Sequence, residues 1–223
     1  MRSHCKTPEG DVVQFWDFAA LTYYRLLDRF SGSLTRLALE QLDLRPGEAV
    51  LDIGCGTGAL LPALAEAVGP RGRVVAVDLS PRMVAVARKR VKQPHVEVRR
   101  ADACTADHGA GQFDAAVALG AFSAMPDVAA AIANAADALR PGGRLFVFDV
   151  RLAKNTRTTR FLRTAYRMIA GFSGADVVTE LRAVFERVEP VFAVEGETTT
   201  VVMARKVTGT ATRSACTPSR PAG

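Results

Sequence analysis

The segment that most narrows what this chain can fold into is Val50 to Gly58, VLDIGCGTG, where a short apolar run breaks into three glycines spaced two apart. A short apolar run of this kind, bounded by turn residues, reads as a buried strand. Glycines let the backbone take left-handed dihedrals and approach a ligand with no Cβ in the way. A helix starting just beyond them points its N–H groups at the same spot. Strand, glycine turn and helix together make a small-ligand cradle. The glycines alone leave the ligand open. Gly54-x-Gly56-x-x-Ala59 meets the loose dinucleotide pattern, with Asp78 at the end of the next strand where a ribose-binding acid belongs.

The rest of the chain supplies the frame for that cradle. Apolar runs and helical patterns alternate from residue 49 onward: strand Ala49–Ile53, helix Thr57–Val68, strand Arg73–Val77, helix Pro81–Val91, strands Val96–Arg100 and Phe113–Leu119, helix Asp127–Leu139, strand Arg144–Val150. Such alternation predicts a parallel sheet covered by helices on both faces. Ahead of it, Asp11 can cap an amphipathic helix carrying Phe15, Ala19, Tyr23 and Phe30, and Leu34 to Leu42 forms a second helix ending before Arg45-Pro46-Gly47. After Val150 the pattern changes to a basic amphipathic helix, Leu152 to Ala170, and a further helical stretch, Gly174 to Phe185. Val188–Val194 and Thr198–Val207 then read as two strands joined tightly at Glu195-Gly196-Glu197. The architecture expected is an α/β, three-layer, Rossmann-like sheet of seven strands, mostly parallel with an antiparallel last strand. N-terminal helices and a helical insertion after the fifth strand complete it.

Length and composition bound the rest. At 223 residues and 48% hydrophobic content, the chain makes one domain over residues 1–208, with a helical lid over 10–45 and a cap helix over 151–173. From Gly209 onward there are too few apolar groups to offset the entropy of ordering, so 209–223 is expected to be a disordered tail. No stretch is long and apolar enough for membrane spanning or a secretion signal, and a cytoplasmic protein is expected. The four cysteines, Cys5, Cys55, Cys104 and Cys216, lack metal-site or disulfide spacing, so no metal is expected. The net charge of +6 permits anionic partners without choosing among them.

Three features favour S-adenosylmethionine over a dinucleotide. Asp52 stands two residues before the first glycine, where it would repel a pyrophosphate and welcome an ammonium or sulfonium. Gly58 adds a third glycine. A late turn, Leu139-Arg140-Pro141-Gly142-Gly143, precedes a strand and then a terminal hairpin instead of a second nucleotide-binding half. Val50–Gly58, Ala76–Ser80, Arg100–Ala103, Phe113–Leu119 and Leu139–Val150 resemble the successive motifs of class I S-adenosylmethionine-dependent methyltransferases, over roughly residues 34 to 207. The small-molecule, quinone and phospholipid group is the most similar. The resemblance implies that Asp52 and Gly54, Cys55, Gly56 and Gly58 surround the cofactor's methionine portion, and that Asp78 accepts the ribose hydroxyls. It also implies that Leu79 packs on the adenine, Asp102 with Ala103 holds the adenine edge, and Leu119 with Gly120 lines the methionine side. Thr57 is read as a cap for its helix, and Cys55 as a small residue in a crowded turn.

The acceptor is less legible. Methyl transfer from a sulfonium is an in-line displacement, so alignment and exclusion of water matter most, and a base is required only if the acceptor carries a proton. Ala118-Leu119-Gly120-Ala121-Phe122 departs from the Asn/Asp-Pro-Pro-aromatic pattern of amino-methylating DNA and protein enzymes. Small molecules therefore come ahead of nucleic acid or protein as substrate, with O, N or C as the accepting atom open. Tyr23-Tyr24-Arg25 resembles the tyrosine-aspartate lid segment of quinone and phospholipid methyltransferases, with Tyr24 in place of the aspartate. Tyr23 is thus a candidate for the cofactor's methionine end, and Tyr24, Phe122 and Arg151 for the substrate. Asp149 and Tyr23 are the candidates for a catalytic role, Asp149 alternatively serving as a cap or as an ion-pair partner of Arg151. Arg157, Arg160, Arg163 and Arg167 share one face of their helix. That face is either solvated, a dock on anionic membrane delivering a lipid or quinone, or a clamp on an acidic substrate. The N-terminal aromatic helix offers a dimer contact. A binding protein that uses the same cofactor for a non-methylating reaction satisfies the glycine turn equally well.

Overall fold

The computed structural model describes residues 31–150, 175–191 and 199–206. The N-terminal aromatic helix with Tyr23 and Tyr24, Arg151, the basic helix 152–170, the turn at Glu195-Gly196-Glu197 and the tail from Gly209 lie outside the described residues.

Seven strands form one sheet: β1 Ala49–Ile53, β2 Arg73–Asp78, β3 Val96–Arg100, β4 Phe113–Leu119, β5 Leu139–Val150, β6 Arg187–Pro190 and β7 Thr199–Arg205. Their order is β3-β2-β1-β4-β5-β7-β6. β1 to β5 pair in parallel, and β7 runs antiparallel to both neighbours, β5 and β6. The helices are α1 Ser31–Leu42, α2 Leu61–Val68, α3 Pro81–Arg90, α4 Val128–Ala138 and α5 Val177–Val184, with a 3-10 turn at Phe122–Ala124.

The period-two alternation of the strands splits the core into two layers. Leu51, Ile53, Val75, Val77, Ala116, Ala118 and Val147 pack with Ile132 and Ala135 of α4 and Leu181 of α5. Val50, Val74, Ala76, Val98, Val117 and Phe146 pack with Ala38 and Leu42 of α1, Leu61 and Leu64 of α2 and Val84 of α3. The strands of a doubly covered sheet are apolar on both faces, which explains why β1 and β4 read as continuous apolar runs.

Caps set the helix starts. The Ser80 side chain accepts the Met83 N–H at 3.1 Å with Pro81 at the first position, and Asp127 accepts the Ala130 N–H at 2.9 Å. Asp176 does the same for Val178 at 3.2 Å. The helix expected over Thr57–Val68 begins only at Leu61. The left-handed dihedrals at Gly56 and Gly58 interrupt it, and Pro62 is tolerated only because it sits in the first turn.

The strand expected over Arg144–Val150 extends back to Leu139. Phe113 pairs with Leu139 and Ala115 with Arg144, so β5 advances five residues while β4 advances two. The Arg140–Gly143 segment bulges out of the ladder. Its Gly142 N–H donates to the Lys206 carbonyl at 2.8 Å, and the Lys206 N–H to the Gly143 carbonyl at 2.9 Å. The turn seen in the sequence is a wide bulge clamped by the end of β7.

A candidate ligand site at the glycine turn

β1, β2 and β4 are parallel, so their C-terminal ends meet at one edge of the sheet. Strand order reverses between β1 and β4, which opens a crevice there. The glycine turn occupies that crevice. Gly54, Gly56 and Gly58 have φ of 66°, 55° and 75°. The turn is pinned by Cys55 N–H to the Val77 carbonyl at 3.0 Å and Gly58 N–H to the Cys55 carbonyl at 2.9 Å. A Cβ on Gly54 would stand 2.5 Å from the Ala121 Cβ, so glycine is demanded there by dihedral and by close packing together.

Asp52 and Asp78 flank this turn, and they are not equivalent. Asp78, half-buried at the end of β2, accepts the Gly56 N–H through Oδ2 and the Ser80 N–H through Oδ1, both at 2.9 Å. Asp52 is 3% exposed. Its register partners Ala76 and Val117 belong to the apolar layer beneath α1 to α3, and its Oδ2 has no hydrogen-bond partner. Burial, then the Asp78 charge, pushes its carboxyl up to about 7. The Thr57 hydroxyl is likewise buried without a partner. Thr57 precedes α2 by several residues, so it is not the helix cap expected from the sequence. Buried, unpartnered polar atoms cost free energy unless a ligand or water meets them. A buried carboxyl with an unpartnered oxygen beside a Cβ-free loop fits a ligand that brings an ammonium or other cationic donor.

The remaining candidates divide. Leu79 and Leu119 are half-buried beside the turn, and Gly120 is exposed with φ 66° and open space where a Cβ would stand. Asp102 accepts the Cys104 N–H through Oδ1 at 2.9 Å, a local turn, and next to it Ala103 is buried. The Cys55 thiol is pushed well up by burial and by the Asp52 and Asp78 charges, which removes any nucleophilic role.

Two further candidates are buried in the described residues. Phe122 was placed against the substrate, but its ring has no exposed surface and packs in the α4 layer of the core. Asp149 was a candidate base. It is fully buried and accepts the Ser123 N–H at 3.0 Å, tying the 3-10 turn to β5, in keeping with the capping alternative. Neither polar nor apolar pattern in the sequence distinguishes these inward positions from pocket-lining ones.

Comparison with known proteins agrees with this geometry. Residues 50–143 match the methyltransferase domain family model. The chain is 37% identical over 139 residues to aklanonic acid methyltransferase DauC of Streptomyces sp. (strain C5), covering 60% of this chain and 62% of that one. It is 32% identical over 147 residues to the ubiquinone/menaquinone biosynthesis C-methyltransferase UbiE of Cupriavidus pinatubonensis, covering 63% and 60%. The crystal structure of geranyl diphosphate C-methyltransferase from Streptomyces coelicolor, in complex with S-adenosyl-L-homocysteine, superposes with a TM-score of 0.69 at 13% identity, over 92% of this chain and 98% of that one, a likeness of fold. The chain spans between about a third and just under two thirds of the length of the curated relatives it matches most strongly.

Proposed function

We propose that the chain is a class I S-adenosylmethionine-dependent methyltransferase that transfers a methyl group in line to an O, N or C atom of a small-molecule acceptor. The observation that carries the reading is Asp52, a buried carboxyl with an unpartnered oxygen, two residues before a glycine turn at the sheet's switch point. When bound, the sulfonium supplies an electrophilic methyl group. In this reading Asp52 takes the ammonium of the methionine portion, and the backbone of Gly54 to Gly58, with Cys55 between, lies against it beside Leu119 and Gly120. Asp78 turns one oxygen to the ribose, Leu79 packs on the adenine, and Asp102 with Ala103 holds its edge. Tyr23 serves the methionine end of the cofactor, and Tyr24 and Arg151 serve the acceptor. The small-molecule and quinone substrates in the names of the relatives support the acceptor class.

Product mass tests the reading. The acceptor should gain one methyl as S-adenosylhomocysteine is released. A product of unchanged mass, or calorimetry showing dinucleotide binding without S-adenosylmethionine binding, overturns it.

A second reading, a lipid or quinone acceptor met at an anionic membrane, is favoured by one observation. Residues 71–100 hold nine lysines and arginines against two acids, a net +7 where the whole chain carries +6. They form β2, α3 and the edge strand β3, and Arg88, Lys89, Lys92 and Arg100 are exposed there. Clusters of this size adsorb to anionic bilayers. Among the described residues no helix is long and apolar enough to cross a membrane. Replacing Lys89, Lys92 and Arg100 with glutamine should abolish co-sedimentation with phosphatidylserine vesicles at low salt. Retained co-sedimentation sinks this version.

A further inference from the structure

We propose that binding at this site is proton-coupled: Asp52 holds a proton in the free protein, and a ligand ammonium arriving at Oδ2 drives that proton into solvent. The inference rests on the cofactor reading above and deepens it.

The argument starts from the inequality of the two carboxyls. Each Asp78 oxygen accepts a backbone N–H, and donors of this kind favour the ionised form. Asp52 has the opposite surroundings. It lies in an apolar layer, 3% exposed, with no donor at Oδ2. Two nearby carboxyls with unequal solvation do not both ionise readily, and the proton stays on the one without donors. Burial followed by the Asp78 charge raises the Asp52 carboxyl to about 7, in keeping with that geometry.

The other groups facing it do not reverse the sign. Among the described residues, Asp78 at the end of β2 is the charged side chain that acts on Asp52, and it repels a second anion. From the turn, the Cys55 thiol is pushed well up by burial, then by Asp52 and Asp78, and stays neutral. Among the described residues, the two carboxyls of the free site thus share one proton, held on Asp52. An ammonium against Oδ2 supplies both a charge and an N–H donor. The Asp52 O–H bond then breaks, its proton passes to water or buffer, and an N–H···O⁻ contact takes its place. No electron changes hands.

Calorimetry of S-adenosylmethionine binding in buffers of different ionisation enthalpy reads the proton directly. At pH 6.5, a carboxyl titrating near 7 should release about three quarters of a proton per ligand bound. Affinity should weaken about twenty-fold from pH 7.5 to 5.5, a window in which a free α-amino group stays largely charged. Asp52→Asn should bind more weakly, with neither the proton release nor the pH slope. Wild-type binding with pH-independent affinity and no proton release overturns the proposal and leaves the cofactor reading standing. Proton release that persists in Asp52→Asn assigns the proton elsewhere and also overturns it. Absence of binding at every pH overturns both readings.

Discussion

Burying Asp52 beside Asp78 on an apolar sheet face costs folding free energy that the free protein recovers only by protonation. The sign follows from the raised carboxyl. The folded chain binds this proton more tightly than the unfolded chain, so the contribution to stability is fully present below the ordinary value of 3.8 and is lost as pH rises through about 7. The ionised acid then costs on the order of a few kcal/mol. Asp52→Asn is expected to raise the melting temperature at pH 8 and to raise it much less at pH 5, while weakening cofactor binding. Thermal melts at the two pH values check this. Asp149 belongs to the same scale with the opposite role. Its carboxylate satisfies the buried Ser123 N–H, so Asp149→Ala should destabilise by about 1–3 kcal/mol and show as a lowered denaturation midpoint. A base would instead show as a lost ionisation in the pH profile of kcat.

At the scale of elements, the glycine turn and the ends of β4 and α4 do the positioning. Gly54→Ala places a Cβ 2.5 Å from the Ala121 Cβ at a φ of 66°, so it should both destabilise the fold and abolish cofactor binding. Gly120→Ala meets nothing within 4 Å at the same φ, so the cost should be only about 1 kcal/mol of backbone strain. Urea unfolding of the two variants should separate a steric position from an open one. At the far end of α4, the Lys206 ammonium donates to the Ala136 and Leu139 carbonyls, both at 2.7 Å, serving the helix's unpaired C-terminal end from β7. That contact links residues some seventy positions apart, and no local pattern announces it.

Across the whole molecule, Arg144 joins parts of the chain that the sequence keeps far apart. Its guanidinium donates to the Leu42 carbonyl, to the Asp43 carbonyl at 2.9 Å, and in a fork to Glu48 at 3.1 and 2.7 Å, with Asp114 O at 3.4 Å. Nearby, the Asp114 carboxylate accepts the Ala49 N–H at 2.8 Å and pairs with Arg140. Burial works against the Glu48 anion, but hydrogen bonds from Arg144 and from the Arg45 N–H, with the charges of Arg144 and Arg140, hold its carboxyl below the ordinary value. Its contribution to stability is thus present above the usual carboxylate range and lost as pH falls through the lowered value. Arg144→Met leaves Glu48 half-desolvated and frees two carbonyls at the end of α1. A loss of about 3–5 kcal/mol is expected, measured by chemical denaturation at pH 7.

What the sequence determined by itself was local. The alternation of apolar runs and helical faces set the sheet and its two covering layers. Asp52 before three glycines marked the candidate cradle, because the turn is built from adjacent residues. Only the tertiary structure decided what depends on neighbours distant in the chain. It put Asp149 under Ser123, took the Phe122 ring into the core, freed Thr57 from its helix, and made the Pro141-Gly142-Gly143 turn a bulge held by Lys206. It also left Asp52 without a donor while giving Asp78 two. Residue type fixes which bonds a side chain can make, but burial and the arrival of partners from other strands fix which it does make, and hence where the proton sits.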